Sequence, residues 1–242
     1  MLDRITTFTF GVVAYLAFFA TLLYFMGWIV GIGVPVPLDA PAAINTWQAL
    51  AIDTGLMALF GLQHSVMARP GFKAWWTQFV PESLERSVYV LLSSVALFAM
   101  MAFWQPLGGV VWAIQGEAAR IAVYAVFALG WAILFLATFL INHFDLFGLR
   151  QVWLHLVRRP YTQLEFGTPF LYRIVRHPLY VGWLLIFWAA PTMTVAHLVL
   201  ALGLTDYILI AIPFEERDLM QAHREYGEYR ERVPMLIPKI GG

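Results

Sequence analysis

Polar side chains with acid–base range collect at the ends of the apolar runs of this 242-residue chain. His64 closes the second run, and His143 with Asp145 closes the fourth. An imidazole there is a candidate general base, and a nearby carboxylate would orient or charge it. The same histidines also suit hydrogen bonds to backbone carbonyls at helix ends. A second group spans Arg173 to Gly182. Pro178 has no N–H and biases His177 away from helical angles, so a helix is expected to begin just after His177. Its open N–H groups, with Arg176 and His177 beside them, suit a carboxylate. Tyr180 follows, and Gly182 lets a backbone or a ligand come close. A third group begins at Glu215-Glu216, whose paired carboxylates suit a cationic ligand or its hydroxyls. Tyr226, Tyr229, Arg230 and Arg232 come next, before the strip Val233-Pro234-Met235-Leu236-Ile237-Pro238. Taken singly, these residues equally suit a basic membrane interface and an amphipathic helix on lipid headgroups.

The elements that must position these groups are membrane helices. Hydrophobic residues make up 61% of the chain and charged residues 12%, about half the charge of an ordinary soluble domain. Apolar runs at about 8–32, 47–67, 88–104, 118–141, 179–190 and 195–213 predict an all-α, polytopic membrane bundle of about six passes. The last two form a short hairpin, and an amphipathic C-terminal helix follows. The fifth run, at about 18 Å of helix, is too short to cross upright. The first run is too long for a cleavable signal peptide. With the N-terminus inside, every one of the 15 basic residues except Arg120 falls on the inner side. That asymmetry predicts cytoplasmic termini and puts all three polar groups at the cytoplasmic face.

Considered together, Arg176-His177-Pro178-x-Tyr180-x-Gly182, an apolar hairpin, Glu215-Glu216-x-x-Leu219, Tyr226-x-x-Tyr229, Val233-Pro234 and Ile237-Pro238 resemble the isoprenylcysteine carboxyl methyltransferase family. The stretches Gly61-Leu62-Gln63-His64 to Pro70 and Asn142-His143-Phe144-Asp145 to Gln151 are similar to its NnrU-like branch. The resemblance implies one integral membrane domain over 1–242, with acceptor-side helices in 1–148 and an S-adenosylmethionine site in 149–242. It implies that His177, Pro178, Tyr180 and Gly182 line the cofactor. Glu215 or Glu216 would take its polar groups, and Tyr226 and Arg230 would cover it. It also implies methyl transfer to a small thiol, methanethiol, giving dimethyl sulfide at the bacterial inner membrane. A thiol needs ionising, so His64 and His143 become candidate activators, Asp145 their partner, and Arg69, Arg150 or Arg176 a thiolate-holding cation.

Two other readings remain at this stage: a larger lipid-like acceptor of the isoprenylcysteine type, or a non-enzymatic membrane protein of the NnrU-like kind. The chain has no cysteine, so the nucleophile is external. Balanced charge gives no basic patch for nucleic acid, no obligate protein partner is inferred, and no His or Asp spacing indicates a metal. Asp206, deep in the sixth run, is a functional flag by its depth alone. Asp53 lies three turns, about 16 Å, from His64, too far for contact.

Overall fold

The computed structural model describes residues 1–239. In chain order the elements are α1 (Leu2–Val30), α2 (Thr46–Ala68), α3 (Pro70–Trp76), α4 (Glu82–Phe103), strand β1 (Val110–Ala113), α5 (Glu117–Ile141), α6 (His143–Leu146) and α7 (Leu149–Leu156). A 3-10 turn at Phe170–Arg173 follows, then α8 (Pro178–Trp188), strand β2 (Thr192–Thr194), α9 (Val195–Ala222) and α10 (Tyr226–Arg232). The fold is an all-α membrane helix bundle. Five helices, α1, α2, α4, α5 and α9, are long and apolar enough to cross a membrane. The remaining expected pass, α8, has 11 residues and reaches only about 16 Å.

Two boundaries differ from the expectation in an informative way. α4 begins at Glu82, a turn and a half before the apolar run, because Pro81 sets the cap and Glu82 and Glu85 favour the first turn. α9 does not stop at Pro213 but runs through it to Ala222. Pro213 faces outward, so its missing N–H leaves no buried gap, and the helix beyond it carries the buried Glu216. The two carboxylates therefore sit on a helix, not on a tail after it. The C-terminal helix is correspondingly short, seven residues. The strands β1 and β2, which form a two-stranded sheet, were not expected.

The chain divides into two compact units, each assembled from segments far apart in sequence. The first comprises Met1–Gly109, Phe144–Gln163 and Thr194–His197. Here α4 packs on α1 and α2, and α7 packs on α1. Gly11 makes the last approach possible, since a Cβ there would lie 2.6 Å from Val152 Cγ2. Gly148, at φ 87°, turns the chain against Ser87, and Phe18 stacks on Phe147 at 4.1 Å. Asp53 is buried and accepts the Gln105 N–H at 2.8 Å, closing the turn after α4.

The second unit comprises Val110–His143, Leu164–Met193 and the chain from Leu198 onward. Its core is the contact of α5 with α8. A Cβ on Gly182 would lie 2.8 Å from Gly130 O and 2.9 Å from Leu134 N, both backbone atoms that cannot swing away. Close helix approach over small residues is a standard device of membrane bundles. Gly182→Ala is therefore expected to destabilise by about 1–3 kcal/mol through overpacking. Gly55→Ala, where a Cβ meets nothing within 4 Å, should cost nothing. Thermal unfolding of both variants in detergent checks this, and equal midpoints would refute the close-contact role.

Candidate functional site

In the second unit the polar residues of the last third converge on Glu216. His177 is the N-cap of α8, with extended φ −123° and ψ 62°, and Pro178 is the first helical residue. That geometry aims the His177 ring at α9, where its Nε2 lies 3.0 Å from Glu216 Oε1. Arg176 Nε donates to the same oxygen at 2.7 Å, and Arg230 Nε lies 3.1 Å from Oε2. Glu216 and His177 are buried, Arg176 is largely covered, and Arg230 is half exposed. Glu215, the next position around the helix, accepts the Tyr180 hydroxyl on Oε2 at 2.8 Å. Of the predicted polar cofactor residues, His177 and Arg230 thus gather with Arg176 on Glu216, while Tyr180 and Glu215 form a separate pair, joined to the first group by the 5.5 Å ring contact of His177 with Tyr180.

Arg176 also ties down the tail. Its Nη1 donates to the carbonyls of Arg230 at 2.9 Å and Val233 at 2.6 Å, satisfying the open end of α10. The Arg176 and His177 backbone N–H groups donate to Pro234 O at 2.9 Å and Met235 O at 3.2 Å. The proline-bounded strip is therefore bonded along the entry to α8. Gly182 is occupied differently: its open Cα is filled by the α5 backbone.

Aromatic rings wall this set. Phe166 meets Tyr226 and Tyr229 edge-on at 5.8 and 5.6 Å, and the two tyrosines meet each other at 5.6 Å. Burial pushes the Tyr229 phenol up to about 12, so it stays protonated and donates to Tyr172 O at 2.6 Å. Burial, then the charge of Glu216, raises Tyr226 as well. The Tyr226 hydroxyl is buried with no partner among the described residues. A buried hydroxyl left unpaired costs stability unless a ligand or water completes it.

His143, at the end of the second unit's α5, is buried, with Nδ1 2.9 Å from Thr138 Oγ1 and its ring stacked on Phe139 at 4.3 Å. Burial lowers its pKa, so it is neutral at pH 7. In the first unit, His64 Nδ1 lies 3.2 Å from Ser93 Oγ and Nε2 lies 3.0 Å from the Tyr89 hydroxyl. Phe60 stacks on its ring at 5.4 Å. Asp145 accepts from Arg150 Nη1 at 2.8 Å, from Gln151 at 3.4 Å and from Tyr161 at 3.3 Å. Burial and then Asp145 raise the Tyr161 phenol. Arg150 also holds Thr162 through two bonds of 2.9 Å. Within this unit, then, Asp145 anchors Arg150 and the 144–163 segment, and it is Tyr89 and Ser93 that hold His64.

The sequence reading passed over Tyr89, Ser93, Phe166 and Tyr172. Tyr89 and Ser93 are four apart on one helix and so share a face, which was a usable signal. Phe166 and Tyr172 lie in an irregular segment with no such period. An open apolar groove of about 530 Å³ in the second unit is lined by residues including Trp112, Val126, Val181, Leu184, Trp188 and Leu236. Among the described residues no group of three or more His, Cys, Asp or Glu side chains is placed to hold a metal.

With this geometry in view, comparison with known proteins is informative. The chain is 52% identical over 241 residues to a methanethiol S-methyltransferase of Crocosphaera subtropica, covering 99% of this chain and 94% of that protein. It is 47% identical over 238 residues to a methanethiol S-methyltransferase of Mycobacterium tuberculosis, covering 98% of each. It is also 32% identical over 185 residues to Nurim of Sus scrofa, 70% of this chain and 68% of that one. No family model matches, and no solved structure matches.

Proposed function

The chain belongs to the methanethiol S-methyltransferase family, and on that premise we propose that it transfers a methyl group from S-adenosylmethionine to methanethiol, releasing dimethyl sulfide. The reaction runs at the cytoplasmic face of a bacterial inner membrane, with both termini in the cytoplasm. The donor is assigned to residues of 149–242 and the acceptor to helices of 1–148.

The observation that carries the donor assignment is the set around Glu216. Its chemistry fits the donor: a cationic sulfonium suits carboxylates and ring faces, and an α-carboxylate suits arginine and a helix start. One buried polar group stands uncommitted there, the Tyr226 hydroxyl. In this reading Glu216 organises the site, fixing Arg176, His177 and Arg230 through both its oxygens. Glu215 and Tyr226 meet the polar groups of the donor. Arg176 offers its remaining nitrogen to negative charge, Tyr180 holds Glu215 in place, and Pro178 and Gly182 set the wall by starting α8 and bringing it onto α5. S-adenosylmethionine, when bound, would supply a methyl on cationic sulfur, open to in-line attack by a thiolate, with the donor's thioether leaving with the electron pair of the broken C–S bond.

The acceptor arrives as a thiol, of which a few per cent or less is ionised at neutral pH. His64, held by Tyr89 and Ser93, takes its proton. His143, neutral and fixed by Thr138, is a second base on the same reasoning, and Asp145 supports the acceptor helices through Arg150. The test is purified protein with both substrates and headspace detection of dimethyl sulfide. Formation that depends on donor, thiol and protein is expected; no formation with active controls would end the reading.

The apolar groove favours one second reading, a larger lipid-like acceptor, because it far exceeds the size of methanethiol. An acceptor panel separates the two: faster methylation of a prenylated thiol or carboxylate than of methanethiol would replace the first reading by the second.

A further inference from the structure

Where α2 ends and α4 begins, the first unit gathers polar atoms that the chain does not satisfy. The Arg86 guanidinium lies over the Tyr89 ring, its carbon 5.7 Å from the centroid. Its Nε is buried without a hydrogen-bond partner among the described residues, and no ion pair to Arg86 is formed among them. Gln63 Oε1 is likewise buried and unpaired, while its amide nitrogen reaches Ser93 Oγ at 3.3 Å. The same Ser93 oxygen faces His64 Nδ1 at 3.2 Å, and the Tyr89 hydroxyl lies 3.0 Å from His64 Nε2. A buried cationic N–H thus belongs to a guanidinium lying over the ring of a phenol whose hydroxyl meets an imidazole, and that cation has no ion pair among the described residues. An unmade hydrogen bond from a buried guanidinium is costly, and a small anion would relieve it.

We propose that Arg86, Tyr89 and His64 form a seat for a small, soft, monovalent anion, which is the acceptor in its thiolate form. This deepens the methyl-transfer reading and rests on it for the identity of the anion. On ionisation the S–H bond breaks, the electron pair stays on sulfur, and the proton goes to His64 Nε2 and then to water. Arg86 Nε–H and the Tyr89 hydroxyl donate to the sulfur anion. Arg86 and Tyr89 are on this account catalytic residues alongside His64. Neither was singled out by the sequence motifs, because Arg86 is indistinguishable there from the other basic residues of a membrane flank.

Sodium thiocyanate is the probe, a soft monovalent anion, used without donor so that no methyl is transferred. Calorimetric titration of the full-length protein without donor should show binding in the millimolar range. Arg86→Gln should weaken it at least tenfold and Tyr89→Phe several-fold. Gly55→Ala, where an added methyl meets nothing within 4 Å, should bind thiocyanate as the unaltered protein does. Tyr89→Phe removes only an oxygen, so a thermal midpoint near that of the unaltered protein certifies its fold should Arg86→Gln prove unstable. Equal affinity in the unaltered protein, Arg86→Gln and Tyr89→Phe, or no binding at all, overturns the seat, even where dimethyl sulfide is formed. Binding that is lost with Arg86→Gln in a protein that forms no dimethyl sulfide overturns the thiolate assignment and the methyl-transfer reading together, leaving only an anion site.

Discussion

His64→Ala lowers kcat for methanethiol by about 10²–10⁴-fold at neutral pH, the range a positioned general base supplies. Donor affinity stays as it was, because the residues assigned to the donor belong to the other unit. The size of the effect follows from the acceptor. A thiol that ionises near pH 8.5 or above presents little thiolate at pH 7, and the variant must wait for spontaneous ionisation. Two signatures separate this from a loss of packing against Phe60, which stacks on the ring. The deficit shrinks as pH rises towards the thiol's own pKa, since hydroxide then does the work of the imidazole. It is also smaller for a selenol, which arrives already ionised. Turnover unchanged at neutral pH would remove His64 from the mechanism. An equal penalty for thiol and selenol would reassign it to structure.

Glu216→Gln is the second large effect, and its cause is electrostatic. One buried carboxylate answers Arg176 at 2.7 Å, Arg230 at 3.1 Å and His177 at 3.0 Å. The amide keeps the shape and removes the charge, so the largely covered Arg176 and the buried His177 lose their counter-ion. Breaking a buried pair from one side typically costs about 3–5 kcal/mol. For a chain of this size that corresponds to a fall in thermal midpoint on the order of 10 °C. Donor affinity should fall at least tenfold as well, because the wall that Glu216 assembles loosens. Arg230→Met is the internal control. The Arg230 side chain is 49% exposed, so solvent screens its pair and the loss should stay within about 1 kcal/mol. Calorimetry and thermal unfolding on the two variants decide the matter. A Glu216→Gln protein with unaltered midpoint and unaltered donor affinity would show that the set is not an organising centre.

The amino-acid sequence by itself determined the helical membrane class, most helix limits and the chemistry available at each helix end. Those signals are local. An apolar run of about 20 residues can satisfy its backbone in lipid only as a helix, and a proline starts α8 after His177 whatever surrounds it. The stretches Gly61 to Pro70 and Asn142 to Gln151 likewise pointed to the branch in which the methanethiol S-methyltransferase relatives are found.

Tertiary structure decided which of those groups meet. Glu215 and Glu216 are adjacent in sequence, yet a helix continuing through Pro213 turns one to Tyr180 and the other to Arg176, His177 and Arg230. Gly182 reads as room for a backbone or a ligand, and it is the α5 backbone at Gly130 and Leu134 that comes close, a contact visible only once the helices pack. Asp145 reads as a partner for a histidine, and nothing in the sequence singles out Arg150, five residues on, which donates to its oxygen at 2.8 Å. Tyr89, 25 residues after His64, had no pattern linking the two until α2 and α4 packed. Hydrophobic period and helix caps are properties of neighbours along the chain. Ion pairing, ring stacking and close backbone approach are properties of neighbours in space, and those exist only once the helices have chosen their partners.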